Sequence, residues 1–430
     1  MIRRFSSVAI VCAASLACCA QPCVAQCMYE MQVIASKPLP WPYDGLWDSV
    51  VPYAMNSCHT VVGTVKSYLD DDVDLQGFVW HPGDVYVTPV EPPVGATWTS
   101  FSDINDLNQV VGEFRIGNPE YKFAFVQDLD TGDLTIIPPP YSTDQGFYAI
   151  ATSINNQGQV VGYWGNTWIG NPVFASFLWQ DGVFQDLNPI FQTSESQALA
   201  INEAGVVGGW LVDSSLQKHA FRYDTATGGL IVYGAIPNGS TSTARAITES
   251  GDFLAGDGTG LPEQPALWPR AVLAVDGLSI DLGSLPDRPI STAFAVDDLG
   301  RVGGGAKSTL PSYGDRAFLW QAGSMHDLNI LLLPDPLLTA AHWVAALNDD
   351  GAILGKGVWS GGLAGVAVRG FLASPTGSKP GDANFDCQVN AADLVLVLQS
   401  WGTSSPIGDV DHDGTVGGAD LGLVLANWGQ

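Results

Sequence analysis

The chain has 430 residues, of which only 14% are charged, and 44 Asp and Glu against 17 Lys and Arg leave a formal net charge of −27. That balance argues against a nucleic-acid partner, which needs clustered Lys and Arg to meet phosphates, and suits an extracellular protein that binds cations. Abundant Gly (49), Pro (27) and Trp (14) are the profile of a turn-rich β protein with a solid core, not of a helical bundle or a disordered chain.

At the N-terminus, Arg3 and Arg4 precede an apolar run over 8–20 and the small-x-Ala site Cys23-Val24-Ala25. This pattern predicts a signal peptide over 1–25 and a mature chain starting near Gln26, secreted or held at the cell surface. Leu16-Ala17-Cys18 and Cys19 offer a lipoprotein site as the alternative. No later stretch has eighteen uninterrupted apolar residues, so no transmembrane segment is expected. Of seven cysteines, Cys27, Cys58 and Cys387 lie beyond the signal. A Cys27–Cys58 disulfide and three separate thiols both remain open.

From there to residue 374 one pattern repeats. Residues 151–162 read Ala-Thr-Ser-Ile-Asn-Asn-Gln-Gly-Gln-Val-Val-Gly, and close copies surround Asn105, Asn202 and Asn348. Weaker copies centre on Asn56, Thr248 and Asp297, and the seven anchors are spaced 49, 50, 47, 46, 49 and 51 residues apart. In each copy a short apolar strand ends at an Asn or Asp able to close an Asx turn. Gly three positions on takes the positive φ that the turn needs, and Val-Val-Gly begins the return strand. An aromatic strand follows in each unit: 77–80, 124–126, 176–179, 219–221, 266–268, 317–320 and 370–372. A third strand is read at 85–88, 133–136, 184–187, 230–233, 279–282 and 325–328.

Repeats of 40 to 50 residues with about four short strands each predict propeller blades, so residues 26–374 are expected to form an all-β, seven-bladed β-propeller-like domain. The seventh unit lacks a last strand. Residues 28–34, with Tyr29, Met31 and Val33 alternating, are predicted to supply it and so remove an exposed edge. Over roughly residues 50 to 375 the units resemble the extracellular HAF-repeat family, whose His-Ala-Phe motif appears literally at His219-Ala220-Phe221. The resemblance implies fold and location but no activity.

After a short linker at 375–380 the composition changes: from Gly381 onward there are seven Asp and no Lys, Arg or Glu. Two twelve-residue loops, 27 residues apart, place oxygen ligands where a large hard cation requires them. The first offers Asp382, Asn384, Asp386, the Gln388 carbonyl, Asn390 and Asp393. The second offers Asp409, Asp411, Asp413, the Thr415 carbonyl and Asp420. Two Ca2+ ions are therefore expected. Each loop is predicted to feed an amphipathic helix, over 394–401 and 421–428. The arrangement over 381–430 resembles an EF-hand-like type I dockerin. That resemblance implies docking to a cohesin-like protein and a place in extracellular polysaccharide catabolism. Two departures stand out: Cys387 occupies a loop position where Gly is usual, and Ala391-Ala392 and Gly418-Ala419 replace the Ser-Thr pairs of cohesin contact.

The large domain shows no nucleophile elbow, zinc motif, phosphate loop or dinucleotide fingerprint, so no catalytic residue or organic cofactor is assigned. Asp106, Glu203, Asp298 and Asp349 fall at repeating turn positions and read as solvated turn residues. Trp80, Trp179, Trp268 and Trp320 share one repeat position and read as core, while Trp164, Trp168 and Trp210 offer possible glycan-stacking surfaces. The expected function is that of a secreted, calcium-binding, non-catalytic scaffold docked through its C-terminal module, with a glycan as a possible ligand. A hydrolase of O-glycosyl bonds, or a polysaccharide lyase, with its site at the propeller mouth is the alternative. A purely structural repeat protein, its channel lined by small apolar residues, is the third.

Overall fold

The computed structural model describes residues 28–36, 49–69, 72–117, 121–141, 146–166, 174–236, 239–259, 268–310, 314–321, 323–361, 365–376, 381–384, 388–403, 405, 408–410 and 415–429. The predicted signal, most of the predicted linker, Trp168, Asp386, Cys387, Asp411 and Asp413 lie outside them. So does Cys27; its proposed partner Cys58 is an exposed, free thiol.

The protein is mostly β, built of four-stranded antiparallel sheets set as propeller-like blades. Among the described residues five of these sheets stand alone. One, for example, runs Phe147–Ile154, Val160–Asn166, Phe174–Gln180 and Val183–Asp186. The remaining sheet has eight strands, because a single parallel bridge between Ser49 and Val368 joins the first unit to the last. In the last unit Met28–Ile34 lies antiparallel to Gly365–Thr376, with Met28 opposite Thr376 and Ile34 opposite Gly370. The N-terminal strand thus completes the last blade, as its alternation predicted. Tyr29 and Ile34 from it are buried, so the edge it covers is part of the core.

The turns form for the reasons their residues suggest. The Asn155 side-chain oxygen accepts the N–H groups of Gln157 (3.1 Å) and Gln159 (3.0 Å), and the Gly158 N–H returns to the Asn155 carbonyl. Gly158 has φ +72°, and the same position in the first two units is taken by His59 and Asn108, also at positive φ. The glycine of Val-Val-Gly has a different cause. In most units a bulge in the innermost strand brings a carbonyl towards the return strand, as at Ala151/Ser153. A Cβ on Gly162 would collide with the Ile150 carbonyl and the Phe177 ring.

The fifth unit departs from the prediction. Its aromatic strand was expected over 266–268, but the strand is Arg270–Val275, starting just after Pro269. Proline has no N–H for the ladder, so pairing begins beyond it. Ala274 opposite Leu254 takes the place that Trp80, Trp179 and Trp320 hold opposite Val61, Val160 and Val302. Trp268 therefore does not belong to that repeat position. In the first unit the last strand shrinks to Thr88–Pro89, with Val85 and Tyr86 exposed.

The C-terminal residues contain two nine-residue helices, Ala391–Gln399 and Gly418–Ala426. Each starts three residues earlier than its apolar run suggested, because Asp393 and Asp420, at N3, accept the backbone N–H groups of the N-cap residues Asn390 (2.8 Å) and Gly417 (2.6 Å), and the Asn390 side chain completes a capping box in the first. The core between them is four valines, Val389, Val397, Val416 and Val424.

Candidate functional site

Two places bring functional side chains together: the channel end where the anchor turns meet, and the C-terminal loops.

At the channel, most anchors are bonded to the next. Asn56 Nδ2 donates to the Asn105 carbonyl (3.3 Å), Asn105 to Asn155 (3.0 Å), Asn155 to Asn202 (3.0 Å), and Asn202 to Thr248 (3.0 Å). Where the anchors are Thr248 and Asp297 the amide is missing. There Arg301, held by Asp297 at 2.6 Å and buried with it, donates instead to the Asn348 carbonyl at 3.2 Å. Burial pushes the Asp297 carboxyl up even with the Arg301 guanidinium beside it.

The residues just after the anchors form a second set of links between blades. Asp106 accepts the Ser57 N–H (2.9 Å), Glu203 accepts from Asn156 (2.9 Å), Glu249 from Glu203 (3.0 Å), Asp298 from Ser250 (3.2 Å) and Asp349 from Asp298 (3.1 Å). The reading of Asp106, Glu203, Asp298 and Asp349 as merely solvated turn residues is therefore corrected: each caps a backbone donor of the neighbouring unit. Desolvation by the cavity walls, reinforced by the charges of Glu203, Asp298 and Asp349, pushes Glu249 up to about 7. Burial, with Asp298 and Asp297 nearby, takes Asp349 to about 6. Asp103, bonded by Ser153 Oγ (2.7 Å) and the Ile154 N–H (3.0 Å), is pushed to about 6 by burial.

These acids rim a cavity of about 580 Å³. Its inner wall is one layer, the residue three positions before each anchor: Tyr53, Ser102, Thr152, Leu199, Arg245, Phe294 and Ala345. Arg245 lies over the Phe294 ring at 5.7 Å and is ion-paired to Asp257 at 2.8 Å. Phe294 in turn contacts Trp343 (6.0 Å between centroids), which carries Lys356 over its face at 3.3 Å. Desolvation lowers Lys356 to about 8. Repeat matching misses this layer, because the seven units place different residues there. The two described tryptophans singled out for glycan stacking lie elsewhere. Trp210 is buried under Lys218 (3.8 Å), and Trp164 packs with Tyr141 and Phe147.

In the C-terminal loops the last predicted ligand of each set is fully buried. Asp393 accepts the N–H groups of Ala383 (2.9 Å), Asn384 (3.2 Å) and Asn390 (2.8 Å). Asp420 repeats this with Val410 (2.8 Å) and Gly417 (2.6 Å). Asp382 and Asp409 are buried as well. Asn390 caps the first helix, its side chain accepting from Ala392 at 2.9 Å. The glycine before each loop carries positive φ and packs against the other copy's helix: Gly381 on Val424, Gly408 on Val397. Four buried carboxylates in a segment without a single Lys, Arg or Glu fit a hard, oxygen-liganded dication. Asp382, Asn384, Asp393, Asp409 and Asp420 with the Gln388 and Thr415 carbonyls are the described residues that would hold it. Among the described residues no three metal-ligating side chains converge, and Asp386, Asp411 and Asp413 lie outside them.

Residues 89–180 match the family described as "Protein of unknown function (DUF3466)". No curated protein matches the chain. Among solved structures, the chain is similar to the β-propeller domain of the Trilobed protease from Pyrococcus furiosus, at 9% identity and a TM-score of 0.40, covering 74% of this chain and 95% of that one. It is also similar to a prolyl endopeptidase, at 10% identity and a TM-score of 0.48, covering 77% and 50%. An acylaminoacyl peptidase matches at 10% identity and a TM-score of 0.45, covering 75% and 52%. The chain thus spans about half the length of these two peptidases.

Proposed function

We propose that the protein is a secreted, calcium-stabilised binding scaffold: a seven-bladed propeller carried on a type I dockerin-like module that holds two Ca2+ ions. The module docks a cohesin-like partner and places the propeller in extracellular polysaccharide handling. The observation that carries this reading is the pair of buried carboxylates, Asp393 and Asp420, each organising its loop in the same way. Calcium supplies the charge balance that such loops lack, and staples a module whose core is four valines. Calorimetric titration of Ca2+ into the full chain tests it. Two sites are expected, with Asp393→Ala and Asp420→Ala each removing one, and cohesin capture is expected only with calcium present. Absence of saturable calcium heat sinks the reading.

One observation favours a second reading. The Glu203 N–H donates to the Glu249 carboxyl at the cavity rim, and desolvation raises that carboxyl to about 7, the direction a general acid of an O-glycosyl hydrolase needs. Release of reducing ends from soluble glycans, abolished by Glu249→Gln, is the expected outcome under that reading.

A further inference from the structure

The repeat makes seven similar units, so the residues where they differ carry much of the asymmetry the channel has. In the layer three residues before each anchor the differences are grouped. Arg245, Phe294 and Tyr53 fall in the fifth, sixth and first units, with Trp343 of the seventh extending the same arc behind Phe294. The next two units, the second and third, contribute the hydroxyls Ser102 and Thr152. Phe294 and Tyr53, with the small Ala345 of the seventh unit between them, therefore make one side of the cavity aromatic, and Ser102 and Thr152, followed by Leu199, make the other largely hydroxylic. Tyr53 keeps 44% of its surface exposed although it faces an interior cavity, and Phe294 is half-buried. An aromatic face left uncovered inside a cavity is apolar surface that a ligand can remove from water.

The polar groups define what the ligand offers. Acceptors dominate: Asp106, Glu203 and Asp349 each use one or two of their roughly four lone-pair sites on groups of the neighbouring units, which leaves others for a ligand. Thr152 Oγ1 donates to the Val161 carbonyl (3.1 Å) and lies 3.0 Å from that of Ala198, so towards the cavity it too is an acceptor. Among the described lining residues Arg245 is the one Lys or Arg, and Asp257 neutralises it. A ligand for this site has many donors, a flat apolar face and no negative charge. A volume of about 580 Å³ falls within the ~300–1,000 Å³ of small-molecule pockets.

Resting on the extracellular-polysaccharide reading above and giving it a site, we infer that the channel cavity binds the end of a neutral or amino-substituted oligosaccharide, its ring stacked on the Phe294–Tyr53 side and its hydroxyl or ammonium donors on the acidic rim. Acidic sugars are excluded by the same rim. This site is distinct from the calcium module, and it requires no catalysis.

The test is calorimetric titration of the full chain with three probes: the trimer of glucosamine, its fully N-acetylated form, and trigalacturonate. The glucosamine and N-acetylglucosamine trimers are expected to bind saturably. Phe294→Ala and Tyr53→Ala are each expected to weaken them about tenfold, in line with the loss of one aromatic contact, while Phe294→Tyr and Tyr53→Phe retain binding. Trigalacturonate is expected to bind at least about tenfold more weakly, from like-charge repulsion at the rim. Thermal melts confirm that each variant is folded; if an alanine variant is not, the conservative pair and the trigalacturonate comparison still decide. No saturable heat from any probe, binding unmoved by folded alanine variants, or trigalacturonate binding as tightly as the other two overturns the inference. Calcium titration of the same samples separates this failure from failure of the docking reading: calcium heat without saccharide heat removes the cavity site alone.

Discussion

Asn348 Nδ2 donates to the backbone carbonyl of Asn56 at 3.2 Å across 292 positions of sequence. This bond joins the anchor of the last unit to that of the first. Beside it, His59 Nε2 meets Asp350 at 2.8 Å across the same seam. Closure therefore has a polar seam at the channel and a strand seam, Met28–Ile34 on Gly365–Thr376, in the outer sheet.

Asn56 is buried, and its side chain both accepts the Cys58 and Thr60 N–H groups and donates to Asn105. Asn56→Ala leaves those backbone donors unpaired and is expected to cost about 1–3 kcal/mol. Urea unfolding followed by tryptophan fluorescence measures it, and an unchanged midpoint would show that the anchor bonds are ornamental.

Stability is expected to fall as pH rises from about 5 to 8. Glu249 and Asp349 have folded pKa values raised to about 7 and about 6, so the native state binds more protons than the unfolded chain between the unfolded value and those limits. Their contribution is full below the unfolded pKa and is lost as pH rises through the folded one. His59, raised chiefly by its bond to Asp350, acts in the same direction: its stabilisation is complete below its unfolded pKa and disappears as pH passes the folded value. Glu249 stands open to the cavity, so solvent screening holds its share to about 1 kcal/mol or less. Melting temperature against pH should show the decline, and Glu249→Gln with Asp349→Asn should flatten it.

Gly162→Ala is expected to destabilise by about 1–3 kcal/mol, because the new methyl meets a backbone carbonyl that cannot retreat without undoing the bulge opposite. Gly182→Ala, at positive φ with open space around it, is the control for simple backbone strain. If the two substitutions shift the unfolding midpoint equally, close approach is not the reason for the Val-Val-Gly motif.

Calcium removal is expected to act locally. The module core is four valines, too little apolar area to offset chain entropy in some fifty residues, so a chelator should melt it and leave the propeller transition in place. Differential scanning calorimetry with and without chelator would show one transition lost and one kept; a single transition shifted as a whole contradicts this.

Much of the architecture was legible in the residues. Anchor turns, return strands and the N-terminal closing strand were readable because Asn, Gly and alternating apolar residues are demanded locally by turn geometry and the two-residue period of a strand. The spacing of the acids in the C-terminal loops was legible because it is local, whereas the burial of Asp393 and Asp420 is a matter of packing. The fifth unit misled because Trp268 matched in type, while Pro269 beside it decided where pairing began. What only the tertiary structure decided lies between units. Nothing in the local sequence says that Asp106 caps Ser57 or that Glu249 caps Glu203, because those partners are nearly fifty residues apart. The cavity wall was hidden for a sharper reason. Tyr53 and Phe294 reach the axis because a bulge in their inner strands turns them there, and Arg245 reaches it from just before the short strand Ala246–Ile247. A repeat search keeps what the units share and discards such differences, and at this layer the differences are the chemistry.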